Sequence, residues 1–182
     1  MKEFLRDILT TIVIAVVIFF GLQTTIQSYV VDGDSMNPDF HNGQRLLVNK
    51  VVYKFFHKPQ RGDVIIFHTP QQPPGSIPLI KRIIGMPGES VEINGGVVYV
   101  HQNDGTTIAL NEPFITSPAI YPYKSGIIPP NQYFVLGDNR NNSGDSREGW
   151  MAPESKIIGK AWISTWPPDT WGLANHYAKL YQ

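Results

Sequence analysis

The chain has 182 residues, 42% of them hydrophobic, which fits one compact domain with an appendage. Its 15 basic and 15 acidic side chains give a formal net charge of zero, excluding a nucleic-acid binder that works by neutralising phosphates. There is no Cys, so a disulfide framework, a thiolate nucleophile and a Cys-ligated metal are excluded as well.

In chain order, the first feature is an uncharged stretch from Ile8 to Val31, almost wholly apolar as far as Leu22. A helix of about 20 residues spans the ~30 Å hydrocarbon layer of a bilayer. Lys2 and Arg6 precede the stretch, as in a cleavable signal peptide, but Gln23 to Val30 offers no Ala-x-Ala site. A buried core helix is the other option, yet soluble domains rarely open with a helix apolar on every face. An uncleaved transmembrane anchor over residues 8–28 is therefore expected. Lys2 and Arg6 lie before it, and no Lys or Arg follows until Arg45. That asymmetry places residues 1–7 in the cytoplasm and residues 29–182 outside the cell membrane.

Beyond the anchor, apolar β-branched runs recur between turn signals: Arg45–Tyr53, Asp63–His68, Leu79–Ile84, Ser90–Ile93, Val97–His101, Gln132–Leu136 and Lys156–Ser164. Asn94-Gly95-Gly96 marks a hairpin, because its turn needs positive φ. Pro-rich punctuation at Gln71–Gly75 and Ile128–Asn131 marks loops. Strands do not alternate with helices, so the expected fold class is mostly β. The tail carries Trp166, Trp171, Tyr177 and Tyr181, either core aromatics or contacts with a membrane interface.

Three segments carry possible chemistry. Asp32-Gly33-Asp34-Ser35-Met36-Asn37-Pro38 follows the anchor and puts a hydroxyl near the membrane surface; as a motif it is equally a simple turn. Within Leu79–Glu89, a strand would set Lys81 on one face between Leu79 and Ile83. Desolvation there lowers a lysine pKa from ~10.4, and a neutral amine can deprotonate a serine; the plainer reading is a lysine snorkelling from a sheet edge. Arg82, on the opposite face, suits an ion pair. The third segment, Gly137 to Gly149, approaches a calcium loop, but Arg140 would set a guanidinium against the cation. Its two Arg and two Asp suit charge-assisted hydrogen bonds along an active-site wall. The five His show no paired-ligand spacing and no phosphate-binding loop is present, so no metal and no cofactor are expected.

In this order, behind an apolar N-terminus, these segments closely resemble the bacterial type I signal peptidases (leader peptidases). The matching blocks are Ser35-Met36 with Pro38, and Gly62-Asp63-Val64. They continue with Lys81-Arg82, Gly85, Pro87, Gly88 and Glu89, then Gly137-Asp138-Asn139-Arg140 with Ser143, Asp145-Ser146-Arg147 and Gly149. The resemblance runs from the anchor to about residue 165, and the single span resembles the Gram-positive form.

It implies that Ser35 is the nucleophile and Lys81 the general base, with Ser143 orienting the lysine. It implies a supporting pair, Asp145 and Arg147, with Asp138 and Arg140 in the same scaffold. Met36 is expected to line the first substrate pocket. The Ser35 N–H would face the oxyanion, while Gly33 stands where some members carry a second hydroxyl donor. The implied fold is an antiparallel β-sheet catalytic domain with a smaller β-rich insertion at about residues 90–130. The implied partners are signal-peptide-bearing precursors, cut after a small-x-small motif, and the lipid bilayer. A Ser-Lys self-cleaving repressor would carry a DNA-binding domain in place of the anchor. A non-catalytic, membrane-tethered β-domain binding module is the alternative, with Ser35 and Lys81 dispensable.

Overall fold

The structure is a computed structural model that describes residues 2–175 and 177. The apolar stretch forms helix α1 (Lys2–Thr25), about 36 Å long at 1.5 Å per residue and exposed along its length. By length and composition it can cross a membrane. It ends three residues before the expected end of the anchor at residue 28. Ile26–Val30 is strand β1, so Ile26 to Ser28, expected within the anchor, pair instead with β2 (Arg45–Asn49). The reason is local: Gln27 and Ser28 are polar, and Tyr29 packs against the core.

The expected strand from Arg45 to Tyr53 also stops short. The Asn49 side-chain oxygen accepts the N–H groups of Val51 and Val52 at 3.0 Å, turning the chain into the short helix α2 (Val52–Phe55). Strands β3 (Val64–Phe67), β4 (Leu79–Gly85), β9 (Gln132–Leu136), β10 (Ala152–Pro153), β11 (Ile157–Trp166) and β12 (Gly172–Leu173) complete the main sheet. Its order is β1-β2-β11-β3-β4-β9-β10, with β12 on β11, and every pairing is antiparallel. Between β4 and β9 the chain forms a second antiparallel sheet from β5 (Ser90–Asn94), β6 (Val97–His101), β7 (Thr107–Ala109) and β8 (Tyr123–Lys124), in the order β7-β6-β5-β8. The β5–β6 hairpin turns at Asn94-Gly95-Gly96, with both glycines at positive φ. The fold is thus mostly antiparallel β with an N-terminal apolar helix.

Three apolar clusters hold the sheets. Strand β3 is buried throughout and feeds two of them: Val64 and Ile66 face Leu46, Val48 and Ile80, while Ile65 and Phe67 face Ile83, Tyr133 and Val135. The third cluster, built on Ile84, Val91, Val100, Ile128 and Phe134, joins the small sheet to β4 and β9.

The long strand β11 pairs with β2, β3 and β12, with register shifts at Ala161/Ile163 and Ile157/Gly159. Gly159 sits where a Cβ would lie 2.3 Å from the Asn49 carbonyl oxygen, so close approach of two backbones requires glycine there. Gly159→Ala is accordingly expected to cost about 1–3 kcal/mol through a forced backbone shift, measured by chemical denaturation of the purified protein. An unchanged denaturation midpoint would show that the contact relaxes freely.

Candidate active site

Lys81 lies in the middle of β4 and is 3% exposed. Leu79 and Ile83, two residues to either side, belong to one apolar cluster, and Ile65 is its cross-strand neighbour on β3. Its Nζ lies 2.6 Å from Ser35 Oγ and 2.9 Å from the Ile80 carbonyl oxygen. Burial pulls the lysine pKa down to about 8, against the opposing pull of Asp145, Asp138 and Glu148. Desolvation wins because the two nearer carboxylates already have partners: Asp145 holds Arg147 and Asp138 holds Arg82. The amine is therefore neutral in a large fraction of molecules near pH 8. Because the unfolded chain binds this proton more tightly, Lys81 costs stability below pH 8, and the cost fades as pH rises from 8 towards 10.5.

Ser35 occupies a turn that starts where β1 ends, with Gly33 at φ +83°. The turn is tied to the loop after β9: Asn139 N–H donates to the Ser35 carbonyl at 3.0 Å, and Asn139 Nδ2 donates to the Asp34 carbonyl at 3.1 Å. Gly137 permits this approach, since a Cβ there would lie 2.4 Å from the Ser35 carbonyl oxygen and 2.2 Å from Ser143 Oγ. No acceptor among the described residues takes the Ser35 N–H. The Gly33 N–H, by contrast, is engaged by Asn42 Oδ1 at 3.0 Å.

Next to Lys81, the fully buried Arg82 joins four segments. It holds Asp138 through two hydrogen bonds of 2.8 and 2.6 Å, Asp39 at 2.8 Å, and the carbonyls of Gly62 and Asn175 at 3.0 and 2.9 Å. Asp145 and Arg147 form the expected forked pair at 2.7 and 2.8 Å, and Asp145 also accepts the Gly137 N–H. Arg140 donates from Nε to the Gly137 carbonyl at 3.1 Å and makes a forked pair with Glu112 at 2.6 Å for each bond.

Two expected placements differ. Ser143 Oγ is buried beside Gly137 but makes no hydrogen bond, so its bond to Lys81 is not formed here. Met36 is fully buried among Val31, Phe40, Leu46 and Val48, and does not line the groove at Ser35. Its spacing one residue after Ser35 turns it to the core side of the turn. Sequence reasoning also missed Asp39 and Glu112, which lie 43 and 28 residues from the arginines they hold and form no motif with them.

The groove that ends at Ser35 and Lys81 holds about 170 Å³. One wall is Tyr29 to Asp32, the end of β1 and the two residues after it; the other is Ile77 to Ile80, the start of β4 and the two residues before it; Leu46 and Ile66 complete the lining. It is narrow and mainly aliphatic. Among the described residues, no group of three or more His, Asp or Glu side chains is placed to hold a metal ion.

The clasp around Arg82 yields a direct expectation. Arg82→Met leaves Asp138 buried without its cation and should cost about 3–5 kcal/mol, read as a lower denaturation midpoint. A change below about 1 kcal/mol would mean that Asp138 finds another partner.

A family model described as "Signal peptidase, peptidase S26" matches residues 2–166. A probable signal peptidase I-1 from Synechocystis sp. is 38% identical over 93% of this chain and 87% of its own length. A signal peptidase IB from Staphylococcus aureus is 33% identical over 91% of both. A solved signal peptidase I from Enterococcus faecalis V583 aligns with a TM-score of 0.48 at 31% identity, over 57% of this chain and 96% of that one. Because the family model covers residues 2–166, the chain belongs to the signal peptidase family, peptidase S26.

Proposed function

We propose that the protein is a membrane-anchored serine endopeptidase that removes signal peptides from exported precursors with a Ser35–Lys81 dyad. The observation that carries this reading is the 2.6 Å approach of Lys81 Nζ to Ser35 Oγ, with the amine pulled down to about 8. In the neutral form the amine accepts the Ser35 proton as Oγ attacks the scissile carbonyl. The Ser35 N–H, which has no acceptor of its own, faces the developing oxyanion. Gly33 adds no hydroxyl and its N–H is already engaged, so it supplies no second donor.

When the tetrahedral intermediate collapses, the ammonium of Lys81 passes its proton to the leaving amine, releasing the mature protein. The signal peptide is then an ester on Ser35. Lys81 deprotonates a water that attacks this ester, and its proton returns to Oγ. Asp145, Arg147, Asp138 and Arg140 hold the wall behind the dyad, and Ser143 stands ready to orient Lys81 once substrate excludes water. The aliphatic groove would take an extended substrate between the two walls, and its 170 Å³ suits small side chains, as a small-x-small site requires.

In this reading α1 from residue 8 onward is the anchor, residues 1–7 are cytoplasmic, and residues 29–182 form the extracytoplasmic peptidase, with about 90–130 as a smaller β-rich insertion. Because α1 runs directly into β1, the groove wall sits a few residues from the membrane surface, where a precursor's cleavage site emerges.

Incubation with a precursor bearing Ala-x-Ala, followed by N-terminal sequencing of the product, tests the reading. Ser35→Ala and Lys81→Ala are expected to lower kcat/KM by at least about 10³-fold while leaving the fold intact. Lys81→Arg should fail equally, because a guanidinium stays protonated. Normal processing by either alanine variant would favour the binding-module alternative. For the wild type, kcat/KM should rise tenfold per pH unit up to about 8 and then level off. A profile flat from pH 6 to 9 would remove Lys81 as the base.

A further inference from the structure

The described chain beyond residue 166 lies past the end of the family match and folds back onto the Arg82 clasp. Ala174 anchors it: its N–H donates to the Trp162 carbonyl at 2.8 Å, and its methyl group is buried in the cluster that holds Met36. The Asn175 carbonyl then accepts from Arg82 Nη1 at 2.9 Å. The Tyr177 hydroxyl donates to Asp39 Oδ1 at 3.1 Å, while the other Asp39 oxygen takes Arg82 Nη2 at 2.8 Å. The Tyr177 ring stacks on Phe114, with centroids 3.9 Å apart and planes 3° from parallel. Both rings lie within 5.0 Å of the Arg82 guanidinium carbon.

The placement of these contacts in the chain gives them their meaning. Asp39 stands four residues after Ser35, and Arg82 is the residue after Lys81. The tail thus grips the supports of both reacting groups and touches neither. A packing role alone would need only the ring on Phe114. The hydroxyl bond goes further: burial pushes the Asp39 carboxyl pKa up, while Arg82 and the Tyr177 hydroxyl both favour its charged form. Loss of that donor weakens the ion pair that fixes the Ser35 turn to β4.

We propose that Asn175 and Tyr177 form a C-terminal latch that positions the Ser35 turn against Lys81 by holding Asp39 on Arg82. This inference rests on the Ser35–Lys81 reading above. Tyr177 is a positioning residue, acting through Asp39. When the latch loosens, Ser35 Oγ moves off Nζ and water reaches the amine; the charged groups around it, Asp145, Asp138 and Glu148, then hold its proton more firmly.

The test uses the full chain in detergent micelles, with an Ala-x-Ala precursor as substrate and thermal unfolding as the check on folding. Tyr177→Ala is expected to lower kcat about tenfold with KM within about twofold, and to move the rising limb of the pH profile above 8. Tyr177→Phe keeps the stack without the Asp39 bond; it should fall about threefold and move the limb in the same direction. A folded Tyr177→Ala protein with wild-type kcat and limb overturns the latch. If Tyr177→Ala does not fold, Tyr177→Phe decides, and wild-type kcat and limb in that variant overturn the proposal. An active Ser35→Ala protein is a separate outcome that removes the underlying dyad and the latch with it.

Discussion

Arg82 is the interaction on which the site depends. A guanidinium with no exposed surface is tolerable only when its donors are met, and four segments meet them: the turn after Ser35 through Asp39, the loop after β9 through Asp138, the Gly62 turn and the tail at Asn175. None of these segments is near another in sequence. Burying one charge therefore fixes the relative positions of the pieces that carry Ser35 and the wall around it. Because side chains alternate along β4, the same strand directs Arg82 to this clasp and Lys81 to Ser35. Structural rigidity on one face underwrites chemistry on the other.

The arginines also set the electrostatics of the lysine. Three carboxylates act to keep Lys81 protonated, and unopposed they would hold it as an inert ammonium. Arg82 and Arg147 pair with two of them, leaving desolvation as the larger effect. The aliphatic groove contributes in the same direction, since Leu79 and Ile80 form one wall beside the amine. An extended substrate filling that groove would exclude further water. In the proposed mechanism, the aliphatic walls that would take small apolar side chains are thus the elements that keep the Lys81 amine neutral.

Much of this was legible in the sequence because it is local. Val97–His101 and Gln132–Leu136 are strands with the residues their β-branched patterns indicate, and Asn94-Gly95-Gly96 makes its hairpin. The Asp145–Arg147 pair was implied by the family resemblance rather than by spacing. Some of what was hidden is local too, and the rest depends on tertiary contact. Asn49 ends β2 early by capping the next turn, and Gln27 and Ser28 leave the helix to pair with β2. Asp39 and Glu112 have no motif because their partners come from distant parts of the chain. Met36 was placed by its neighbour Ser35, but the turn directs the two side chains to opposite sides, one to the groove and one to the core.

In the proposed mechanism the fold brings Lys81 to Ser35 with its amine half neutral at about pH 8. The most direct test is an NMR titration of protein carrying ¹³Cε-labelled lysine, with the Lys81 resonance assigned by its loss in Lys81→Ala. A midpoint at about 8 is expected in the folded protein. A midpoint near the free-lysine value of ~10.4 would contradict it.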